Sequence, residues 1–338
     1  MAEPLVVIDA DVLGRNRTGD ETYVENLLRA LAPIAGGLRV AAVTRRPDLV
    51  PAGIEAVELP ARSQELRMAW RLPRLLRRLR PGLAHFQHAL PLGLRCRAVI
   101  TIHDLSFERD PSLMGLADRL TFKTFVPRAA RRADRVLAVS ERTRRDLVEL
   151  YGIDDAKIVV TPNAVDPVFV PDGEPGGAYL LFVGAIQERK NPLAAADAAA
   201  EVGLPLVVAG PEKEPALARE LERRGASLRG YVTKPELAAL YRGAAAVLLP
   251  SRYEGFGLPV LEAMASGTPV VAAPEPALRE VAGDAALFAE PEELAGAVRR
   301  ALADRDRLRA AGLARARLFS WDATARLTLG VYRELLGP

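Results

Sequence analysis

Short apolar runs rich in β-branched residues alternate with helical patterns along the whole chain. Strand-like runs include Leu5–Ile8, Val99–Ile102 and Ala246–Leu249, and each precedes a segment with apolar residues at helical spacing. Strands that alternate with helices form parallel sheets covered on both faces. The 338 residues are enough for two domains of ordinary size. The sequence therefore predicts an α/β protein of two doubly wound, Rossmann-like domains.

The segment Asp166–Gly177, DPVFVPDGEPGG, is rich in proline and glycine and predicts a linker. We expect a first domain over 1–170, a second over 171–320, and a final helix over 321–338 that packs back toward the first domain. Ligands of doubly wound sheets bind beyond the carboxyl ends of the strands. The site should therefore be assembled from loops that follow strands in both domains, which face a cleft.

Cysteine and histidine are scarce, with one and three residues respectively. The single thiol, Cys96, excludes an internal disulfide and a cysteine-rich zinc cluster. A basic leader with a long apolar core is absent, and so is an apolar run of about 18 residues. We expect a cytoplasmic protein that is at most peripheral on a membrane. Nucleic-acid binding is disfavoured because no recognised module interleaves the arginines with aromatic residues.

The most informative segment is Pro250–Glu262, PSRYEGFGLPVLE, which follows a predicted strand and opens a helix at Pro259. The backbone of four consecutive residues, Gly255, Phe256, Gly257 and Leu258, would present N–H groups to an anion such as a diphosphate. We expect Glu262 in the first helical turn, as an acceptor for ribose hydroxyls. Glu254 would address the group beyond the diphosphate. An ordinary strand-to-helix turn with two surface glutamates is the alternative.

A second anion feature is the segment Gly184–Pro192, GAIQERKNP. Asn191 suits a helix N-cap and Pro192 the first helical position. The adjacent cations Arg189 and Lys190 precede this helix and suit phosphate oxygens. A solvated basic loop is the alternative, but two anion features in one domain favour the functional interpretation.

Three further features lie in the first half. His103 directly follows a predicted strand, where it could bond a substrate hydroxyl or move a proton. Gly19 precedes a predicted helix and would allow close approach of a phosphate. Asp9-Ala10-Asp11 matches the D-x-D pair that holds a metal in some transferases. It lies in the first half of the chain, however, whereas the cations Arg189 and Lys190 lie in the second. We expect no metal there.

Together these segments resemble the retaining glycosyltransferases of family 4, the group 1 glycosyltransferases, which have the GT-B fold. The pattern E-x-F-G-x-P-x-x-x-E spans Glu254–Glu262 and is the most specific match. Looser matches occur at Arg17–Tyr23, His103–Asp104, Val139–Leu147, Thr161–Asp166 and Glu188–Asn191. The ERKN form of the last match is similar to that of bacterial mannosyltransferase-like members.

The resemblance implies a role for each candidate residue. These roles are diphosphate binding by Arg189 and Lys190, a phosphate lining at Gly19, ribose binding by Glu262, sugar contacts from Glu254 and His103, and base contacts at Tyr231 and Val232. It also implies metal-independent transfer, with retention, of a hexose from a donor such as GDP-mannose or UDP-glucose. The acceptor would be a glycan or a lipid-linked molecule, and no cofactor is expected.

Two other function classes remain open on the sequence. One is a non-enzymatic protein that binds a sugar or nucleotide sugar, and the other is a sugar-nucleotide epimerase of the same fold. A nicotinamide-dependent dehydrogenase is disfavoured because the chain has no G-x-G-x-x-G after a strand.

The segment Arg67–Arg80 places arginines at helical spacing beside leucines and Trp70. Pro73 is expected to kink this helix. The pattern is typical of a surface helix with its apolar side in the core and its arginines in water. The alternative is peripheral contact of these arginines with an anionic membrane.

Overall fold

The computed structural model describes residues 3–15, 18–61, 63–109, 116–173 and 176–337. The chain divides into two compact units. The first contains Met1–Asn163 and Ser320–Pro338, and the second contains Ala164–Phe319. The boundary between the units lies after Asn163, seven residues earlier than the boundary after residue 170 that the sequence predicted.

The predicted linker is largely part of the second unit. Asp166 and Phe169 are buried. Lys234 Nζ lies 2.6 Å from Asp166 Oδ2, and the ring of Phe169 meets that of Tyr241 edge-on at 5.7 Å. The proline and glycine content predicted a linker, but an ion pair and an aromatic contact hold this irregular segment within the second unit. Residues 174 and 175 of the predicted linker lie outside the described residues.

The first unit is built on a parallel sheet flanked by helices. Its strands are β1 (Leu5–Asp9), β2 (Arg39–Thr44), β3 (Glu55–Glu58), β4 (Leu83–Gln87), β5 (Arg97–Ile102), β6 (Arg135–Ala138) and β7 (Ile158–Val160). Its helices before the boundary are α1 (Thr18–Leu31), α2 (Gln64–Leu66), α3 (Leu72–Leu79), α4 (Ser106–Arg109), α5 (Leu116–Arg132) and α6 (Glu141–Tyr151). The strand order is β3-β2-β1-β4-β5-β6-β7, and the order reverses between β1 and β4.

The second unit repeats this plan. Its strands are β8 (Tyr179–Val183), β9 (Leu206–Ala209), β10 (Ser227–Leu228), β11 (Ala244–Leu249), β12 (Val270–Ala272) and β13 (Leu287–Phe288). Its helices are α7 (Pro192–Val202), α8 (Pro215–Arg223), α9 (Lys234–Gly243), α10 (Leu258–Ala265), α11 (Pro276–Ala282), α12 (Leu294–Ala303) and α13 (Arg305–Ala316). The order is β10-β9-β8-β11-β12-β13, with parallel pairings and a reversal between β8 and β11.

The chain then returns to the first unit. The last helix, α14 (Trp321–Leu336), packs against α1 and β4. Its side chains at Ala325, Leu329 and Tyr332 are buried there. The chain therefore crosses between the units twice.

Local sequence signals explain several helix ends. Ser140 Oγ accepts from Thr143 N at the start of α6, and Gly152 ends that helix in the left-handed conformation. Thr233 and Glu236 form a capping box at the start of α9. Asn191 differs from its expected role. It precedes α7 with a φ of 52°, and its side chain makes no cap hydrogen bond.

Candidate active site

The cation pair and Glu254 meet where the strand order of the second sheet reverses, a usual ligand position in such sheets. Arg189 and Lys190 lie in a 3₁₀ turn after β8, and Glu254 lies in the loop after β11. Lys190 Nζ lies 2.6 and 2.7 Å from the two carboxylate oxygens of Glu254. Arg189 Nη1 lies 3.7 Å from Glu254 Oε2 and donates to the carbonyl of Tyr253. Two separately predicted features thus form one charged cluster.

Glu254 is buried, with 7% of its surface exposed. Burial alone would raise its pKa, but the charges of Lys190 and Arg189 outweigh burial and hold the pKa below its usual range. The carboxylate is therefore ionised at neutral pH and can accept hydrogen bonds from a sugar hydroxyl.

Beyond Glu254, the loop leads into the N-terminus of α10. Gly257 has a φ of 106°, and a Cβ there would lie 2.8 Å from Leu278 Cδ2, so both conformation and space favour glycine. The side chain of Phe256 is buried and packs edge-on against Phe319 at 6.0 Å. In this segment, Gly255, Phe256, Gly257 and Leu258 can therefore contribute backbone N–H groups at the helix start.

Glu262 is the fifth residue of α10 and lies in its second turn, not in the first as the sequence suggested. Its carboxylate accepts a hydrogen bond of 2.8 Å from Tyr241 Oη in α9. Burial raises the pKa of Glu262 to about 7, although the Tyr241 hydrogen bond and the Lys234 charge lower it. Its charge therefore changes near neutral pH, which makes its hydrogen bonding to a ligand sensitive to pH.

Tyr231 and Val232 follow β10, the edge strand on the other side of β9 from β8. Tyr231 is half exposed, with 52% of its surface accessible. Gly210, after β9, has a φ of 149°, and a Cβ there would lie 2.0 Å from the carbonyl oxygen of Gly184. The strand-end loops after β8 and β9 are therefore in direct backbone contact, which only a glycine at 210 permits.

His103 follows β5 of the first unit. Its Nε2 lies 2.8 Å from Gln87 Oε1 and 4.0 Å from Asp20 Oδ1. The ring of Tyr23 meets the imidazole edge-on at a centroid distance of 4.8 Å. Burial lowers the pKa of His103 to about 4, even though Asp20 raises it. His103 is therefore neutral at pH 7 and has one donor and one acceptor nitrogen.

Gly19 lies in the first turn of α1, which begins at Thr18, so Gly19 is within the helix and does not precede it as the sequence suggested. A Cβ at Gly19 would meet no atom within 4 Å, so the surroundings leave room for a ligand. Gly19 and His103 belong to the first unit, and the other candidate residues belong to the second. Arg17, in the same sequence motif, lies outside the described residues.

The carboxylates of the D-x-D match are engaged by arginines. Arg67 is fully buried, and its guanidinium lies 2.6 and 2.9 Å from the two carboxylate oxygens of Asp9. Asp11 pairs with Arg45 at 2.9 Å, with Arg15 at 2.7 Å and with Arg67 at 3.3 Å. These arginines therefore compensate the negative charge of both carboxylates.

A different group of ligand-type side chains lies near His103. Asp20, His88 and His103 offer atoms within 4.8 Å of one another. His88 has a φ of 56°. Its Nδ1 is buried and has no hydrogen-bond partner among the described residues. The 4.0 Å between Asp20 Oδ1 and His103 Nε2 is longer than two ligands of a tetrahedral metal usually allow, since metal–ligand bonds are about 2.0–2.2 Å.

The basic helix differs from its prediction in two ways. Residues Arg67–Arg71 form a π-helical turn between α2 and α3, which accommodates Pro73 at the start of α3. Arg67 points into the protein, so it is not available to a membrane. The arginines at positions 71, 74, 77, 78 and 80 are exposed, and Arg74 stacks over the exposed ring of Trp70 at 3.7 Å.

Next to the end of α3 is a pocket of about 350 Å³. It is lined by basic and apolar residues that include Arg77, Arg80, Arg95, Leu76 and Leu94. Across the described part of the chain, no helix is both long and apolar enough to cross a membrane.

Sequence reasoning missed Gln87, Asp20 and Tyr241. Gln87 could have been found, because it ends the strand next to the one that delivers His103. Tyr241 could not, since its contact with Glu262 depends on how α9 packs beside α10.

The model of the glycosyl transferases group 1 family matches residues 177–304, and that of glycosyltransferase family 4 matches residues 17–169. The O-antigen chain mannosyltransferase B of Escherichia coli is 31% identical over 270 residues, which cover 71% of each chain. A D-inositol 3-phosphate glycosyltransferase of Kineococcus radiotolerans is 37% identical over 249 residues, 60% of this chain and 57% of that protein.

The fold is similar to that of Anabaena HepE, solved in complex with UDP and glucose. The TM-score is 0.74 at 15% identity, over 98% of this chain and 99% of that one. The two parallel α/β units are those of the GT-B fold. Taken with the matches to both halves, this chain belongs to the group 1, family 4 glycosyltransferases.

Proposed function

We propose that the protein transfers a hexose of the mannose or glucose type, with retention of configuration and without a metal, to a glycan or lipid-linked acceptor. The observation that carries the proposal is the cluster of Arg189, Lys190 and Glu254 beside the start of α10. It combines cations for a diphosphate with an ionised carboxylate for the sugar attached to it.

Charge on the departing diphosphate would be met by Arg189, Lys190 and the N-terminus of α10. The acceptor oxygen attacks the anomeric carbon as the bond from that carbon to the diphosphate oxygen breaks. The acceptor proton passes to the departing diphosphate on the same face, which gives retention. Glu254 would orient the sugar and stabilise positive charge at its anomeric carbon, and His103 would bond a sugar hydroxyl.

Metal independence is supported by the ion pairs of Asp9 and Asp11. The arginines that surround these carboxylates compensate their negative charge, which weakens the attraction for a divalent ion. The cations Arg189 and Lys190 supply positive charge on the side of the diphosphate instead. No cofactor is included in the proposal.

A mannose-type donor is supported by the similarity to the O-antigen mannosyltransferase, and a UDP-linked donor by the ligands of HepE. We further propose peripheral binding to an anionic membrane through the exposed arginines of α3 together with Trp70, in place of the full Arg67–Arg80 segment. Such binding would bring the enzyme to a lipid-linked acceptor.

The proposal is tested with a panel that contains GDP-mannose, GDP-glucose, UDP-glucose and UDP-galactose. Binding is measured by calorimetry, slow donor hydrolysis by release of the nucleotide, and product configuration by proton NMR. We expect one hexose donor to bind and to yield an α-linked product from the α-linked donor. An inverted product, or no binding by any hexose donor, would overturn the proposal.

A further inference from the structure

A chain of buried hydrogen bonds connects the last helix to the strand that carries His103. Tyr332 Oη of α14 lies 2.6 Å from His85 Nδ1, and His85 Nε2 lies 2.7 Å from Thr101 Oγ1. Thr101 Oγ1 is in turn 2.9 Å from Tyr23 Oη of α1. All four side chains are completely buried.

Because His85 is neutral, the hydrogen bonds in this series must all be donated in the same direction. Burial lowers the pKa of His85 to about 3, so its ring has one N–H and one acceptor nitrogen at neutral pH. If Nε2 donates to Thr101, Nδ1 must accept from Tyr332, and the reverse assignment inverts every bond. Either way, the hydroxyl of Tyr332 pairs with Nδ1, so the tautomer of His85 and the direction of the bonds to Thr101 and Tyr23 are coupled to it.

The same two strands carry a second hydrogen bond two residues further along. In a strand, residues two apart lie on the same face, so His85 and Gln87 share a face of β4. Thr101 and His103 are likewise two residues apart, at the end of β5 and just beyond it. The bond from His103 Nε2 to Gln87 Oε1 is therefore the next rung after the one between His85 and Thr101.

Two aromatic contacts reinforce this connection. The ring of Tyr23 meets the His103 imidazole edge-on. The same Tyr23 ring also contacts the ring of Trp321, the first residue of α14, at a centroid distance of 6.1 Å. Helix α14 therefore touches the surroundings of His103 twice, through Trp321 and through Tyr332.

We propose that Tyr332 and His85 are positioning residues that hold the side chains of His103 and Gln87 in the orientation that binds the sugar. This rests on the proposed contact of His103 with the transferring sugar. Loss of the Tyr332 hydroxyl would leave His85 Nδ1 without this partner and allow the His85 ring to shift. The hydrogen bond to Thr101 would then weaken, and so would the neighbouring bond between His103 and Gln87. His103 would then sample orientations that do not bond the sugar.

The test compares Tyr332→Phe and Thr101→Val with Tyr151→Phe as a matched control. Tyr151 also lies buried in the first unit, and its hydroxyl bonds Glu108 at 3.2 Å, away from this chain of hydrogen bonds. The protein has only three histidines, so ring nitrogen and carbon-bound proton signals of each can be followed by NMR in the ligand-free protein.

We expect both test variants to change the His85 and His103 ring signals and to lower kcat by about tenfold, the scale of one misplaced hydrogen bond. The control should leave the His103 signals and kcat unchanged. Thr101→Val gives a second route to the same result if Tyr332→Phe folds poorly. If the His103 signals of a folded test variant match those of the wild type, the positioning role is wrong. The NMR result needs no donor, so it stands apart from failure of the proposed transfer.

Discussion

Lys190 and Glu254 form a close ion pair across two loops, with Nζ 2.6 and 2.7 Å from the two carboxylate oxygens. Only 14% of the lysine side chain and 9% of the glutamate side chain are exposed. In the proposed reaction, Lys190 has two tasks: it keeps Glu254 ionised and it attracts the diphosphate.

Replacing Lys190 by glutamine should therefore lower kcat by about 10²–10³, the usual cost of removing one group that stabilises a developing anion. The pKa of Glu254 should rise in the same variant because its main stabilising charge is lost. Initial rates with a saturating donor measure the effect. Arg252→Gln, which removes an exposed cation paired with Glu188, is the control and should keep near wild-type rates. A Lys190→Gln rate within twofold of the wild type would contradict the assignment.

Donor affinity should depend on pH near neutrality because burial raises the pKa of Glu262 to about 7. If only the ionised carboxylate accepts the ribose hydroxyls, donor KM should increase about tenfold between pH 8 and pH 6. Tyr241→Phe removes a hydrogen bond that lowers this pKa, so the KM curve should shift to higher pH. Glu262→Gln should give a flat profile. A wild-type KM independent of pH from 6 to 8 would exclude Glu262 from ribose binding.

The same raised pKa has a consequence for stability. Between the ordinary glutamate value and about 7, the folded state binds more protons at Glu262 than the unfolded state does. The contribution of Glu262 to the free energy of unfolding therefore falls as pH rises through this window. Urea unfolding at pH 5 and pH 8 should show a smaller decrease for Glu262→Gln than for the wild type. An equal decrease would mean that Glu262 titrates alike in both states.

Arg67 should be critical for folding because it neutralises two carboxylates inside the first unit. Arg67→Met should lower the free energy of unfolding by about 3–5 kcal/mol, since it leaves buried charges uncompensated. Arg39→Met breaks an exposed pair with Glu55 and should cost about 1 kcal/mol or less. Urea denaturation followed by circular dichroism measures both. Equal small effects would mean that water or another cation replaces Arg67.

Removal of divalent cations should leave the transferase active. Dialysis against EDTA, followed by assays with and without Mg²⁺ or Mn²⁺, tests this directly. A loss of activity that either ion restores would overturn metal independence and direct attention to Asp20, His88 and His103, whose ligand atoms lie close together.

Binding to anionic vesicles should depend on the exposed arginines of α3. Arg77→Glu plus Arg78→Glu should abolish co-sedimentation with anionic vesicles at low salt, since each basic residue contributes about 1 kcal/mol near such a surface. Arg300→Glu plus Arg317→Glu makes the same change of charge on exposed residues of the second unit and should keep binding. Equal recovery of the wild type with neutral and anionic vesicles would remove the membrane proposal.

The strand-end positions of Arg189, Lys190, Glu254 and His103 were predictable, because apolar runs locate buried strands and the loops follow directly. The burial of the Arg67 side chain was not predictable. A π-helical turn changes the helical phase between residue 67 and α3, so regular spacing cannot show that this arginine faces inward. Helix α11 and strand β13 are also hard to predict, because both are short and lie in an alanine-rich segment with little contrast between faces.

Because α14 returns to the first unit, the first unit can finish folding only after the second unit has been synthesised. A ribosome releases residues 320–338 after the whole second unit, yet these residues cover α1 and bury His85 beneath Tyr332. During synthesis the first unit must wait with part of its interior open to water while the second unit, which is continuous in sequence, emerges and folds. A chain truncated before Tyr332 would keep the second unit intact and expose part of the interior of the first, although the missing residues lie far in sequence from β1.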